Sequence, residues 1–274
     1  MNIEIITNYE SKLIANGYSQ TTCKNYKSAM MQYCKWSDSN SNLSIDIIKE
    51  YVVFLKSVNK SYSTIKIAVT SLILYSELVM QNSLRGDYLK GVKQKRKMPE
   101  VLTLSEVRQL VNSIDNLKHK TIVALIYSCG LKTSECIRLK RSDIDFKNTK
   151  LRVFTQNQSK IRLVSLPKKI IIMLKQYIKE YQITNHLFIG ISGDEISPRT
   201  IQSILKKSGE KIGLSKDVTP QSLRHSYGTH LVEQGIDLRI IQRILGHSDI
   251  RTTQIYSHIS NVNIDDINNP FCKL

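Results

Sequence analysis

Three side chains suited to breaking phosphodiesters follow one another near the end of this 274-residue chain. Arg224 stands in Thr219-Pro220-Gln221-Ser222-Leu223-Arg224-His225-Ser226, His247 in Leu245-Gly246-His247-Ser248, and Tyr256 in Thr252-Thr253-Gln254-Ile255-Tyr256-Ser257-His258. A phenolic oxygen can attack phosphorus in line if charge on the phosphorane-like transition state is stabilised and an acid meets the departing 5′ oxygen. Each demand selects a residue type. Arginine offers a planar fork that bridges two phosphate oxygens, whereas lysine offers a point charge on a flexible stem. Histidine can donate to the phosphate or carry the phenolic proton. The bond energy would be kept in a tyrosyl ester, so such a reaction needs neither ATP nor metal, and no cofactor is expected.

A metal-dependent cut would need clustered ligands. His225 and His230 lie five apart rather than at the four-residue spacing of a helical metal pair, and no HExxH occurs, so both read as structural residues. The carboxylates Glu135, Asp143 and Asp145 sit at helix-surface and turn positions rather than in a metal motif, and no metal site is expected.

The elements that must carry this chemistry belong to a strongly basic chain. Forty Lys and Arg against 23 Asp and Glu give a net charge of +17, which favours a polyanionic partner, nucleic acid first. Up to position 90 there are 10 basic and 7 acidic residues, positions 91–99 hold 4 basic and no acidic ones, and the remainder holds 26 and 16. The excess therefore lies in 91–99 and beyond. No apolar run is long enough to span a membrane and the N-terminus lacks the pattern of a signal peptide, so a soluble, cytoplasmic protein is expected. The cysteines, Cys23, Cys34, Cys129, Cys136 and Cys272, are odd in number and scattered, which suggests reduced thiols.

The length suits two domains. Residues 1–90 read as a small helical bundle. A helix over 19–36 carries Tyr26, Met30, Tyr33 and Trp36 on one face; Ser44 caps a helix bearing Ile47, Ile48, Tyr51, Phe54 and Leu55; Ser61 or Ser63 opens a third through Ile65, Val69, Leu72 and Tyr75. Residues 91–99, with Lys93, Lys95, Arg96 and Lys97 and a closing Pro99, read as a linker. The second domain spans 100–259 and starts with a capping box, Thr103 to Glu106, stapled by Leu102 and Val107. A helix ends at Gly130, a short one covers 134–139, and strands over 150–155 and 161–166 flank the polar turn 156–160 as a hairpin. A helix follows Pro167, a short strand is expected at 186–190, and Ser197-Pro198 opens another helix. Pro220 starts a helix that Gly235 ends, with further helices at 238–245 and 252–258 and a polar tail over 260–274. The fold class is mainly α with a small antiparallel hairpin or sheet in the second domain.

Four blocks carry a resemblance to the tyrosine recombinases, which include phage integrases and Xer-type resolvases: Leu223 to Ser226, Thr229-His230-Leu231, Leu245 to Ser248, and Thr253 to Tyr256. The resemblance implies a helical core-binding domain followed by a catalytic domain. It places the family's second catalytic arginine, its later histidine and its nucleophile on Arg224, His247 and Tyr256. Three positions depart from the pattern. In Tyr127-Ser128-Cys129-Gly130-Leu131-Lys132-Thr133-Ser134-Glu135 the first catalytic arginine is replaced by Lys132, which keeps the charge and loses the fork. The histidine of the His-x-x-Arg motif is Gln221, a donor that cannot titrate. In the hairpin the catalytic lysine's position is Asn157, and Lys160, three residues on, is the candidate to protonate the leaving oxygen.

The same resemblance implies double-stranded DNA as partner, cleaved through a 3′-phosphotyrosyl intermediate by a homotetramer on paired sites. It allows an accessory directionality factor and suggests exchange of the 260–274 tail between protomers, a mobile element as source, and a place at the nucleoid. Backbone contacts are expected from Lys93, Lys95, Arg96 and Lys97, and groove contacts from Arg199, Thr200, Gln202 and Lys206 and from Ser63 and Lys66. The competing function is a sequence-specific DNA-binding protein on the same scaffold, catalytically weak or inactive because of Lys132, Asn157 and Gln221.

Overall fold

The computed structural model describes residues 3–37, 43–84, 86–92, 99–154, 161–190 and 193–257. The chain divides into two compact units, Met1–Lys97 and Met98–Leu274.

The first unit is built from α1 (Ile3–Ala15), α2 (Gln20–Trp36), α3 (Ile45–Ser57) and α4 (Tyr62–Leu78). Three of these begin at serines whose hydroxyls accept a backbone N–H three residues on: Ser19 from Thr22, Ser44 from Ile47 and Ser61 from Thr64. Ser61, not Ser63, is therefore the cap of α4. The sequence singles out three helices here; α1 is a fourth, and it buries Ile6, Tyr9 and Leu13 at helical spacing. Aromatic rings dominate this core. Tyr9 meets Tyr75 edge-on with ring centres 5.5 Å apart, and Tyr51 packs between Tyr33 and Trp36. The Tyr9 hydroxyl donates to the Ser71 carbonyl at 2.8 Å, so the buried phenol is satisfied.

The second unit wraps around α6 (Leu117–Ser128), whose residues Thr121 to Ile126 are all buried, so no face of it is left for water. The neighbouring α5 (Leu104–Asn112) starts with the Thr103–Glu106 capping box, and Leu102 and Val107 are both buried as the staple requires. After α6 come α7 (Thr133–Ile137), a 3-10 turn at Arg141–Asp143, and an antiparallel sheet in the order β1 (Ile144–Asp145), β2 (Lys150–Phe154), β3 (Ile161–Ser165). The register pairs Leu151 with Val164 and Val153 with Arg162. Helices α8 (Lys168–Glu180), α9 (Pro198–Lys211), α10 (Pro220–Glu233), α11 (Leu238–Leu245) and α12 (Arg251–Gln254) complete the unit, with α6 packed between α8 and α10.

Three local expectations change. The two-residue β1 adds an edge to the hairpin and is too short to show a period of two. Residues 186–190 form isolated bridges, Lys140 with His186 and Ile189 with Glu195, instead of a strand. Leu187 and Phe188 are wholly buried there; Leu187 N–H donates to the Leu139 carbonyl at 2.7 Å and Ile196 N–H to the Phe188 carbonyl at 3.3 Å, so the segment is pinned by single bridges to two neighbouring stretches rather than by a continuous ladder. The last helix stops at Gln254 rather than reaching 258; it has no side-chain cap, and Tyr256 lies in the turn that follows. Cys23, Cys34, Cys129 and Cys136 are free thiols, and Cys272 lies outside the described residues. Among the described residues no helix is long and apolar enough to cross a membrane.

Candidate active site

Helix ends place the site. Gly130, at φ +55°, turns the chain out of α6, and a side chain there would collide with Leu245 and Tyr227. Lys132 then becomes the N-cap of α7. Thr219 caps α10 with Pro220 in its first turn, which puts Gln221 at the mouth of that helix and Arg224 and His225 one turn further in. Gly246, at φ +67°, ends α11 and hands the chain to His247, and the short α12 returns it to Tyr256. Lys132, Gln221, Arg224, His225, His247 and Tyr256 all line one cavity.

Arg224 is buried, and its guanidinium donates to the carbonyls of Gly130 and Leu245, the C-terminal ends of α6 and α11, where the helix dipoles favour a cation. Glu135 lies 3.7 Å from it. That carboxylate is held first by Arg162 of β3, which donates to it twice, at 2.6 and 2.8 Å, and by the backbone N–H of Lys132 at 2.7 Å. Arg162 also donates to the Ile244 carbonyl at 2.7 Å and so ties the hairpin to the end of α11. Burial by itself would raise the Glu135 carboxyl; the Arg162 bonds and charge, the Lys132 N–H and the Arg224 charge outweigh it and hold the group below the usual carboxylate range. Glu135 therefore neutralises one arginine and leaves the cavity cationic.

Tyr256 is wholly buried, and its ring lies against Gly228, where an added Cβ would come within 2.7 Å of the ring. Burial raises the phenol above its ordinary value and Arg224 opposes that rise. The phenolic oxygen is 3.2 Å from His225 Nδ1. His247 lies nearly parallel to the Tyr256 ring, with ring centres 6.3 Å apart, and its Nδ1 bonds the buried Thr253 hydroxyl at 2.9 Å. Burial, then Arg224 and Lys132, push His247 down to about 4, and burial and Arg224 lower His225 as well. Both rings are thus neutral at neutral pH, with donor and acceptor nitrogens available for proton transfer.

Of the residues selected from the sequence, Lys132, Gln221, Arg224, His247 and Tyr256 meet in this cavity. Lys160 and Asn157 lie outside the described residues, as do Lys93, Lys95, Arg96 and Lys97. Arg199, Thr200, Gln202 and Lys206 are exposed on α9, away from the cavity, and Ser63 and Lys66 are exposed on the first turns of α4 in the other unit. His225, read from the sequence as a structural residue, lies beside the phenol and lines the cavity. Its signal was the four-residue step from Gln221, which puts both on one helix face. Glu135 and Arg162 also escaped notice as a pair. Arg162 shares the inward face of β3 with Val164, and a cation there demands a buried partner. Among the described residues no three His, Cys, Asp or Glu side chains cluster as a metal site requires.

Residues 100–262 match the family model described as "Phage integrase family". The chain is 31% identical to the tyrosine recombinase XerA of Pyrococcus horikoshii, covering 95% of this chain and 90% of that protein. It is 30% identical to the tyrosine recombinase XerD of Staphylococcus aureus, with 94% of each covered. Among solved structures, a Tn1549 transposon integrase in complex with circular intermediate DNA superposes with TM-score 0.76 at 19% identity over 98% of this chain and 99% of that one. A lambda integrase dimer bound to a core site gives 0.75 at 15% identity over 97% and 98%, so the likeness is one of fold. Capped helix ends that gather an arginine, two imidazoles and a buried phenol, together with the family match and these full-length relatives, show that this chain belongs to the phage integrase family of tyrosine recombinases.

Proposed function

We propose that this site-specific DNA recombinase cuts and rejoins one strand at a time, with Tyr256 as the nucleophile. The observation that carries this assignment is the meeting of Tyr256, Arg224, His247 and Lys132 around one cavity although they come from four separate stretches of chain. A phosphodiester entering it meets two cations, Lys132 and Arg224, on its non-bridging oxygens, with His247 and Gln221 as further donors. Attack of the phenolic oxygen forms a 3′-phosphotyrosyl ester and releases a 5′-hydroxyl, and Lys160 is the acid assigned to that oxygen. Lys132 retains the positive charge of the arginine it replaces. Removing a preorganised donor outright costs roughly 100- to 1000-fold, so exchanging one cation for another leaves turnover within reach.

DNA is held by phosphate contacts from Lys93, Lys95, Arg96 and Lys97 and by groove contacts from Arg199, Thr200, Gln202 and Lys206 on α9 and from Ser63 and Lys66 on α4. The exposure of the α9 and α4 residues supports this. A homotetramer on paired sites, an accessory directionality factor, exchange of the 260–274 tail and a cytoplasmic location at the nucleoid complete the proposal. The test is a detergent-quenched incubation with nicked duplex DNA: a covalent protein–DNA adduct forms with the parent and disappears in Tyr256→Phe. Salt-sensitive binding with no adduct on any duplex would instead favour an inactive DNA-binding protein.

A further inference from the structure

The family pattern sets a histidine where this chain has Gln221, whose side chain cannot take up a proton. We propose that His225, one helical turn further along α10, is the general base for Tyr256, and that Gln221 fixes its tautomer. The inference rests on the reading of Tyr256 as nucleophile and extends it.

The hydrogen-bond inventory around the phenol carries the argument. His225 Nδ1 lies 3.2 Å from the Tyr256 oxygen, and His225 Nε2 lies 3.1 Å from the amide nitrogen of Gln221, Nε2, a contact whose direction follows the orientation of that amide. A neutral phenol keeps its proton and needs an acceptor. The cations facing the cavity, Lys132 and Arg224, can only donate, and no carboxylate lines it among the described residues. The second imidazole, His247, turns its Nδ1 to Thr253. His225 Nδ1 is the imidazole nitrogen in hydrogen-bond contact with the phenol, and as the phenol's acceptor it puts the ring's hydrogen on Nε2. A half-turn of the Gln221 amide, which exchanges its nitrogen for its oxygen, brings the carbonyl oxygen to meet that hydrogen, and that is the orientation assigned to it in the proposal. Glutamine in place of histidine thus becomes a fitting residue rather than a defect.

The proton balance is complete. As the bond from the Tyr256 oxygen to phosphorus forms, its O–H bond breaks and the proton passes to His225 Nδ1, giving an imidazolium that still donates from Nε2 to Gln221. The bond from phosphorus to the 5′ oxygen breaks, and that oxygen takes its proton from the acid assigned to Lys160. In resealing, the 5′-hydroxyl attacks and gives its proton back to the group that acted as acid, assigned to Lys160, while the tyrosyl oxygen leaves and His225 returns the proton to it. Burial and Arg224 lower the imidazole, so it is unprotonated and ready at neutral pH. Burial raises the phenol, so Tyr256 does not ionise unaided there.

The probe is a nicked duplex selected from a random-sequence pool by retention on Tyr256→Phe protein. With parent protein the rate of adduct formation rises with pH through an acid limb and then levels. His225→Asn can still accept from the phenol but cannot take up its proton; it slows adduct formation by roughly 100-fold or more and removes the acid limb. Free imidazole restores part of the rate to His225→Ala, and retention of the same duplex by both variants shows that they are folded. In ¹⁵N-histidine spectra of the parent, His225 Nδ1 appears as the unprotonated nitrogen. Unchanged rates and pH profile in both variants, or a protonated Nδ1, overturn the base assignment and leave Tyr256 as nucleophile. No Tyr256-dependent adduct from the parent overturns both readings.

Discussion

The two units solve the burial of polar groups in opposite ways. In the first, the buried polar side chains include tyrosines whose rings fill space; the Tyr9 hydroxyl reaches the Ser71 carbonyl, while those of Tyr33 and Tyr88 are buried without a partner among the described residues. In the second, Glu135, Arg162 and Arg224 lie in or against an aliphatic core, where each charge loses most of its hydration. A bundle that needed only stability would not do this, because buried ion pairs are often no better than apolar packing of the same shape. In the proposed reaction Arg224 must face the cavity with its orientation fixed before a phosphate arrives; Glu135 and two helix-end carbonyls provide that fixation. On that reading, preorganised charge is the feature that separates the second unit from the first.

Removing the centre of that network is the most severe test of the contrast. Glu135→Ala leaves two guanidiniums without their shared carboxylate and is expected to destabilise the protein by about 3–5 kcal/mol in denaturant titrations. The pH dependence sharpens it. Because the folded carboxyl lies below its unfolded value, its contribution is present above about pH 4.3 and is lost as pH falls through the lower folded value. Glu135→Gln should flatten that acid limb, and an unchanged limb would contradict the network.

The aromatic bundle should respond through packing alone. Leu72→Ala, at a buried position of α4, is expected to cost about 2–5 kcal/mol with no new dependence on pH. Trp36 is the sole tryptophan in the chain and sits in that core, so its fluorescence reports the first unit directly. Next in size is Gly228→Ala, which drives a methyl group into the Tyr256 ring. Overpacking of this kind costs about 1–3 kcal/mol, and displacing the phenol by about an ångström slows adduct formation by about 100-fold. An adduct rate at the parental level would show that the ring need not rest on Gly228. The smallest effect belongs to Thr103→Ala, which removes one side of the α5 capping box and should cost about 1 kcal/mol with the adduct rate intact.

Much of the frame is local and could be read without coordinates. Ser19, Ser44, Ser61, Thr103, Ser197 and Thr219 each accept a backbone N–H from the helix they start, because a cap and its partner lie three residues apart in the chain. The hairpin strands fall within a residue of their expected limits for a similar reason: alternation and a polar turn are written in consecutive residues. Residues 186–190 form single bridges instead of a strand because a one-segment pattern does not state whether its pairing continues into a ladder.

By itself, the sequence determined the order of Arg224, His247 and Tyr256, the basic charge, the helix that carries Arg224, and the Gly246 helix end before His247. Only the tertiary structure decided that His225 would meet the phenol, that Glu135 would bind Arg162 across 27 residues of chain, and that Gly228 would form the bed for the Tyr256 ring. The reason is geometric: helix periodicity fixes which face a side chain occupies, while the distance between faces depends on how separate helices cross and on what burial leaves between them.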